Sequence, residues 1–226
     1  MMIHFEYLKN EIVFDDEKIQ LLVIENKELF RNVLLVFEQE NADDMFVFSD
    51  NLSPFEFSKY GCFIPTPLFV DFQNKKLVSK LNSFLAEAAN NEFQQEFAGL
   101  KSNIMSFAEQ LGNFSDYDFE WCDDIDASSI VKLLQFKIDC QSQSPLELFV
   151  TYALLLSKYL GVKIFVVANL HMYFTDAELS EVYKTLLLYH INLLAVEPSA
   201  PNCCNALESV HIIDSDLCYI DSDIIK

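Results

Sequence analysis

The sequence predicts an α/β protein: an open, mostly parallel sheet with flanking helices, carrying an inserted α-helical leg. Three observations carry that expectation. Lys163 to Pro198 reads strand, helix, strand. Ile19 to Gln39 reads strand, helix. Residues 72–138 are patterned as helix almost throughout. The division expected is a head formed by 1–71 and 139–226, with 72–138 as the leg.

The central stretch is the clearest. Lys163-Ile164-Phe165-Val166-Val167-Ala168 is an apolar run too short for a helix and rich in β-branched and aromatic residues, the pattern of a parallel strand buried on both faces. Thr175, with Glu178 three residues on, is a capping box. Leu179, Val182, Leu186 and His190 follow at helical spacing. Asn192 to Val196 is a second buried strand, stopped by Glu197-Pro198. Strand, crossover helix and parallel strand form a right-handed unit.

The remaining elements follow in chain order. Ile19 to Glu25 is a strand, and Asn26 opens a helix with Leu29, Val33 or Leu34, and Phe37 along one face. The turn between them is Glu25-Asn26-Lys27-Glu28, with no glycine and two acids, so its amides cannot wrap a phosphate. Met45 to Ser49 is a short strand. Phe63-Ile64 and Leu68 to Asp71, split by Pro65 and Pro67, are an edge strand or a bent connection. Leu77, Leu81, Phe84, Leu85 and Ala88 mark one leg helix. Phe93, Phe97, Leu100, Ile104, Phe107 and Leu111 mark a second at heptad-like spacing, joined to the first at Asn90-Asn91 as an antiparallel arm. Ile130 to Phe136 is a third. Ser144-Pro145-Leu146-Glu147 caps a helix that runs to Tyr159 and ends before Gly161. Val210 to Ile213 and Leu217 to Ile220 read as a β-hairpin.

Composition excludes several classes. With 226 residues, 51% hydrophobic and 21 Phe, the chain can bury a real core. Four Gly exclude a glycine-rich nucleotide cradle. The N-terminus, with Glu6 and no basic segment before an apolar one, does not read as a signal peptide. The most apolar region, Leu146 to Ala168, is broken by Glu147, Lys158 and Lys163, so no membrane span is expected. Six Cys without paired spacing, Cys203-Cys204 included, read as free thiols of a reducing cytoplasm. The formal charge is −20, from 15 basic and 35 acidic residues. Charge alone therefore argues against nucleic acid, and a DNA-binding surface would have to be locally basic.

Two clusters stand out. Asp116, Asp118, Glu120, Asp123, Asp124 and Asp126 fall within eleven residues. They read either as a solvated face or, because Tyr117, Phe119 and Trp121 alternate with acids, as a fixed segment whose carboxylates hold a cation. Oxygen ligands alone select calcium or magnesium over zinc. Lys75, Lys76, Lys80, Lys101, Lys132 and Lys137 lie on the leg or its hinges, either as solvated helix surface or as phosphate contacts without base readout. His4, His171, His190 and His211 are scattered and read as satisfied or surface histidines.

In their order, these segments resemble the type II-A CRISPR-associated adaptation protein (the Csn-two family). The resemblance rests on Val23-Ile24-Glu25 before a helix, the helical arm, the acidic hinge, Lys163 to Asn169, Phe174-Thr175 with Glu178, Leu193 to Pro198, and the acidic hairpin. It implies a nucleotide-hydrolase-like head that has lost its nucleotide motifs, with a helical leg. Asn169, where a metal-holding Asp would stand, fits that loss. It further implies a homotetrameric ring that binds double-stranded DNA ends, carries no enzyme activity, and supports spacer acquisition beside the CRISPR integrase and effector nuclease proteins. Calcium is implied on Asp118, Glu120 and the Asp123-Asp124 pair. Ser129 stands where the family tends to carry glutamate, so one calcium site is weakened. Two other readings stay open: a metal-dependent nuclease using the acidic cluster, and a structural module that binds partners through its arm.

Overall fold

Strand pairing organises the larger part of the chain around Ile19–Ile24. In the computed structural model, which describes residues 1–114, 116–141, 143–201 and 205–221, the chain divides into two compact units. One comprises Met1–Asp71 with Cys140–Lys226, the other Phe72–Asp139. Cys203 and Cys204 lie outside the described residues.

The larger unit holds two sheets. Strands β1 (Met2–Phe5), β2 (Ile12–Val13), β4 (Phe46–Asp50) and β5 (Ser53–Phe55) form an antiparallel sheet in the order β2-β1-β4-β5. Strands β3 (Ile19–Ile24), β6 (Gly61–Ile64), β7 (Ile164–Ala168), β8 (Asn192–Glu197), β9 (Glu208–Ile213) and β10 (Tyr219–Asp221) form a second, in the order β10-β9-β3-β8-β7-β6. Neighbours from β9 to β6 run parallel, and β10 alone is antiparallel. The continuous apolar runs now have their reason. Every residue of β3 and of β7 is buried, because both faces of these inner strands are covered.

The helices of this unit are α1 (Lys27–Glu38), α2 (Phe57–Tyr60), α6 (Pro145–Leu155), α7 (Leu170–Tyr173) and α8 (Asp176–Leu188). Helix α1 buries Leu29, Val33 and Phe37. Phe37 meets Phe46, Phe57 and Phe63 in an aromatic cluster that fills the space under the antiparallel sheet. Gly61 is required there, because a Cβ on it would fall 2.2 Å from the buried Phe57 ring. Helix α6 starts at the Ser144–Glu147 capping box and ends in a wider π turn, Leu156–Leu160, closed by Gly161 at φ 68°.

Several expectations change. Helix α8 stops at Leu188, and His190 lies beyond it with positive φ. Of the two readings of Phe63 to Asp71, Phe63-Ile64 falls in the edge strand β6, while Leu68 to Asp71 is a connection with Phe69 exposed. The hairpin expected at the end exists, but its first strand, β9, is also a parallel partner of β3.

The smaller unit contains α3 (Lys75–Asn91), α4 (Gln94–Gly112) and α5 (Ala127–Leu134). Helix α3 packs chiefly on α5, through Ala86, Ala127 and Val131. Helix α4 buries no residue fully. Of its heptad-like positions, Phe97 joins that small core, while Phe93, Phe107 and Leu111 stay more than half exposed.

Candidate nucleic-acid interface

The first turn of α3 is set by Asn74, whose Oδ1 accepts from the amides of Lys76 (2.9 Å) and Leu77 (3.3 Å). This cap places Lys75 and Lys76 at the positive end of the helix dipole, where anions are favoured. Lys80 follows one turn after Lys76. Lys75 also lines a groove of about 410 Å³ with Gln73, Ser79, Asn82, Ser83 and, from α5, Ser128 and Lys132. Two lysines far apart in sequence thus share one groove with hydroxyl and amide groups and with Val78. Lys132 is fixed on α5, whose N-terminus is capped by Asp126 accepting from the Ser129 amide. That amide, with the nearby Lys132 charge, holds the Asp126 carboxyl below its ordinary range.

Among the described residues, Lys75, Lys76, Lys80, Lys132 and Lys137 make no ion pair. Lys101, on α4, lies 4.0 Å from Asp124 Oδ1. Lys137 follows α5 and is exposed. The groove brings together only Lys75 and Lys132 of the six.

Asp118, Glu120, Asp123 and Asp124 are all exposed. Among the described residues no group of three or more acidic, histidine or cysteine side chains converges as metal ligands. The donor chemistry suits calcium, but the arrangement of these four carboxylates does not.

At the end of β3, Asn26 Oδ1 accepts from the amides of Glu28 and Leu29, and Asn26 Nδ2 donates to the Ser215 carbonyl. The first amides of α1 are therefore taken by the chain itself. After β7, Asn169 adopts φ 56° and its amide donates to the Val196 carbonyl.

Sequence reasoning missed a buried ionisable cluster. His171 lies between two buried carboxylates, with Nδ1 3.2 Å from Glu197 Oε1 and Nε2 2.8 Å from Glu208 Oε1. Burial pulls the imidazole down, but the hydrogen bonds to Glu197 and Glu208 outweigh it and raise it to about 9. His171 is thus a satisfied histidine. It comes from α7, Glu197 from the end of β8 and Glu208 from the start of β9, so no local motif announces the cluster. His171 and Glu197 also line a groove of about 390 Å³ with Met172, Asp176 and Pro198 to Pro201.

An α/β unit with a mixed sheet, joined in sequence to a small helical unit bearing a lysine-lined groove, defines the class to which this chain belongs. A family model described as CRISPR-associated protein (Cas_Csn2) matches residues 38–217, most of the chain, and the chain belongs to that family. The match takes in the whole helical unit and the sheet strands from β4 to β9. No curated protein matches the chain. No helix among the described residues is long and apolar enough to cross a membrane.

Proposed function

We propose that this CRISPR-associated chain is a non-catalytic, cytoplasmic protein that binds double-stranded DNA ends without reading their sequence. In this proposal it assembles as a homotetrameric ring and supports spacer acquisition with the integrase and effector nuclease proteins. The observation that carries the reading is the α3–α5 groove. Among the described residues neither Lys75 nor Lys132 makes an ion pair, in a chain of formal charge −20. A cation outside any ion pair of the described residues is placed for an external anion. Lysines with hydroxyl and amide neighbours suit phosphates and offer no bidentate fork for bases.

The reading includes a head descended from a nucleotide hydrolase. The self-capped start of α1 supports the loss of nucleotide binding, since a phosphate there would have to displace Asn26. Calcium on Asp118, Glu120, Asp123 and Asp124 rests on donor chemistry and the family resemblance. It would require the segment to draw its carboxylates together.

A gel with labelled linear and closed circular duplex, in calcium, magnesium or chelator, tests the proposal. A shift without cleavage, stronger for linear DNA, is expected. Cleavage would replace it with the metal-dependent nuclease, and neither shift nor cleavage with the partner-binding module.

A further inference from the structure

We infer that the acidic segment after α4 is an internal competitor for the DNA-binding face: a strap that neutralises Lys101 until a duplex displaces it. The inference rests on the DNA-binding reading above and concerns its regulation.

Three contacts place the strap. Trp121 lies against the last residue of α4, where a Cβ on Gly112 would stand 2.7 Å from Trp121 Cζ3. Glycine lets the indole rest on the helix backbone at that point. Asp124 Oδ1 lies 4.0 Å from Lys101 Nζ. Asp126 then caps α5, accepting from the Ser129 amide at 2.6 Å. Lys101 precedes Gly112 by about three turns, roughly 16 Å of helix. Trp121 to Asp124 spans roughly 10 Å when extended, and the Lys101 side chain covers much of the rest. The segment therefore runs back along α4, antiparallel to it.

The electrostatics follow from that path. Of the six candidate lysines, Lys101 is the one among the described residues with a carboxylate in ion-pair reach. An exposed pair at this distance is weak and readily displaced. It still changes the thermodynamics of DNA binding. A lysine that neutralises a DNA phosphate releases the cation condensed on it, and that release drives binding. While Asp124 holds Lys101, the lysine neutralises no phosphate and that cation stays on the DNA. The carboxylates of Asp118, Glu120 and Asp123 travel with Asp124 and repel incoming phosphates. In the strapped chain Lys101 therefore contributes little to affinity or to its salt dependence.

The test compares the full chain with Asp124→Asn, Lys101→Ala, both together, and Gly112→Val. Duplex affinity is measured against salt, in chelator so that no divalent ion competes. Asp124→Asn is expected to bind about threefold tighter at low salt, with a log–log salt slope steeper by about 0.9. In the Lys101→Ala background the same change gains nothing. Gly112→Val, which pushes Trp121 off α4 and keeps every carboxylate, tightens binding in the same direction. Where circular dichroism shows that it has lost helix, Asp124→Asn decides. No tightening by Asp124→Asn overturns the inference. So does equal tightening without Lys101, which is a net-charge effect, and so does a folded Gly112→Val of unchanged affinity. Failure of the chain and every variant to bind duplex at any salt overturns the DNA-binding reading itself, and the strap with it.

Discussion

Lys163 Nζ lies 2.9 Å from Asp50 Oδ2, joining the strand that opens the central βαβ unit to the last residue of β4 in the other sheet. The same ammonium sits 5.3 Å from the ring centroids of Phe55 and Tyr60. The Lys163 amide donates to the Tyr60 carbonyl, and its own carbonyl accepts from Asn192 Nδ2. One residue, standing just before β7, thus ties β4, β5, α2 and β8 together. The ammonium, first by its hydrogen bond, holds the Asp50 carboxyl below its ordinary 3.8.

Lys163→Met removes the pair and the ring contacts and keeps the aliphatic stem. Both partners are more than one-third exposed, so screening discounts the charge. A loss of about 1 kcal/mol by urea denaturation is expected. A depressed carboxyl contributes stability above its unfolded value and loses it as pH falls through the folded one. The difference between wild type and Asp50→Asn should therefore shrink below about pH 4. A difference independent of pH would mean that packing alone sets the effect.

The His171 cluster titrates in the opposite direction. Its folded value, about 9, lies above the ordinary 6.5. The proton's contribution to stability is therefore complete below about pH 6.5 and is lost as pH rises through about 9. Melting temperature should fall across that window more steeply than in His171→Gln. His171→Ala, which leaves Glu197 and Glu208 buried without their cation, should cost about 3–5 kcal/mol. A wild-type melting temperature flat from pH 6 to pH 10 would show that His171 holds no extra proton.

What the sequence could reveal depended on the physics of each segment. The strands at Ile19–Ile24 and Ile164–Ala168 were legible because burial on both faces writes an unbroken apolar run. The antiparallel sheet was largely hidden. Strand β2 is two residues long, β5 carries Pro54, and the four residues of β1 are too few for alternation to register. Single-turn helices such as α2 and α7 leave no periodic signal. The six lysines could be named from sequence, but Lys75 shares a groove with Lys132 only because α5 returns to α3. His171 meets Glu197 and Glu208 through the sheet's strand order, which no local spacing encodes.

Phosphate binding at the α3–α5 groove makes a quantitative demand on salt. Lys75→Glu with Lys76→Glu reverses charge at the N-terminus of α3 without touching its Asn74 cap. It should abolish the duplex shift with helix content unchanged. Lys132→Ala should lower the log–log salt slope by about 0.9, the release of one counterion, equally for any duplex sequence. Salt-insensitive binding, or retained affinity in the double reversal, would move the interface elsewhere.

Calcium demands most of the chain, because the four candidate ligands are exposed and do not converge. Asp118, Glu120, Asp123 and Asp124 repel one another when brought close, so the open arrangement is the cheaper one without a cation. Binding would have to be coupled to closing of the segment, and that coupling weakens affinity by the free energy of closure. It would also leave a signature, since an ion bound only by the closed, folded chain raises the melting temperature with its concentration. Calcium should do so in a differential scanning measurement. Magnesium should substitute poorly, since it keeps its waters and demands a stricter octahedron. Asp118→Ala with Glu120→Ala should remove the calcium response. It should leave the melting temperature in chelator nearly unchanged, because neither carboxylate is buried. If calcium leaves the wild-type melting temperature where chelator puts it, these four carboxylates are a solvated face.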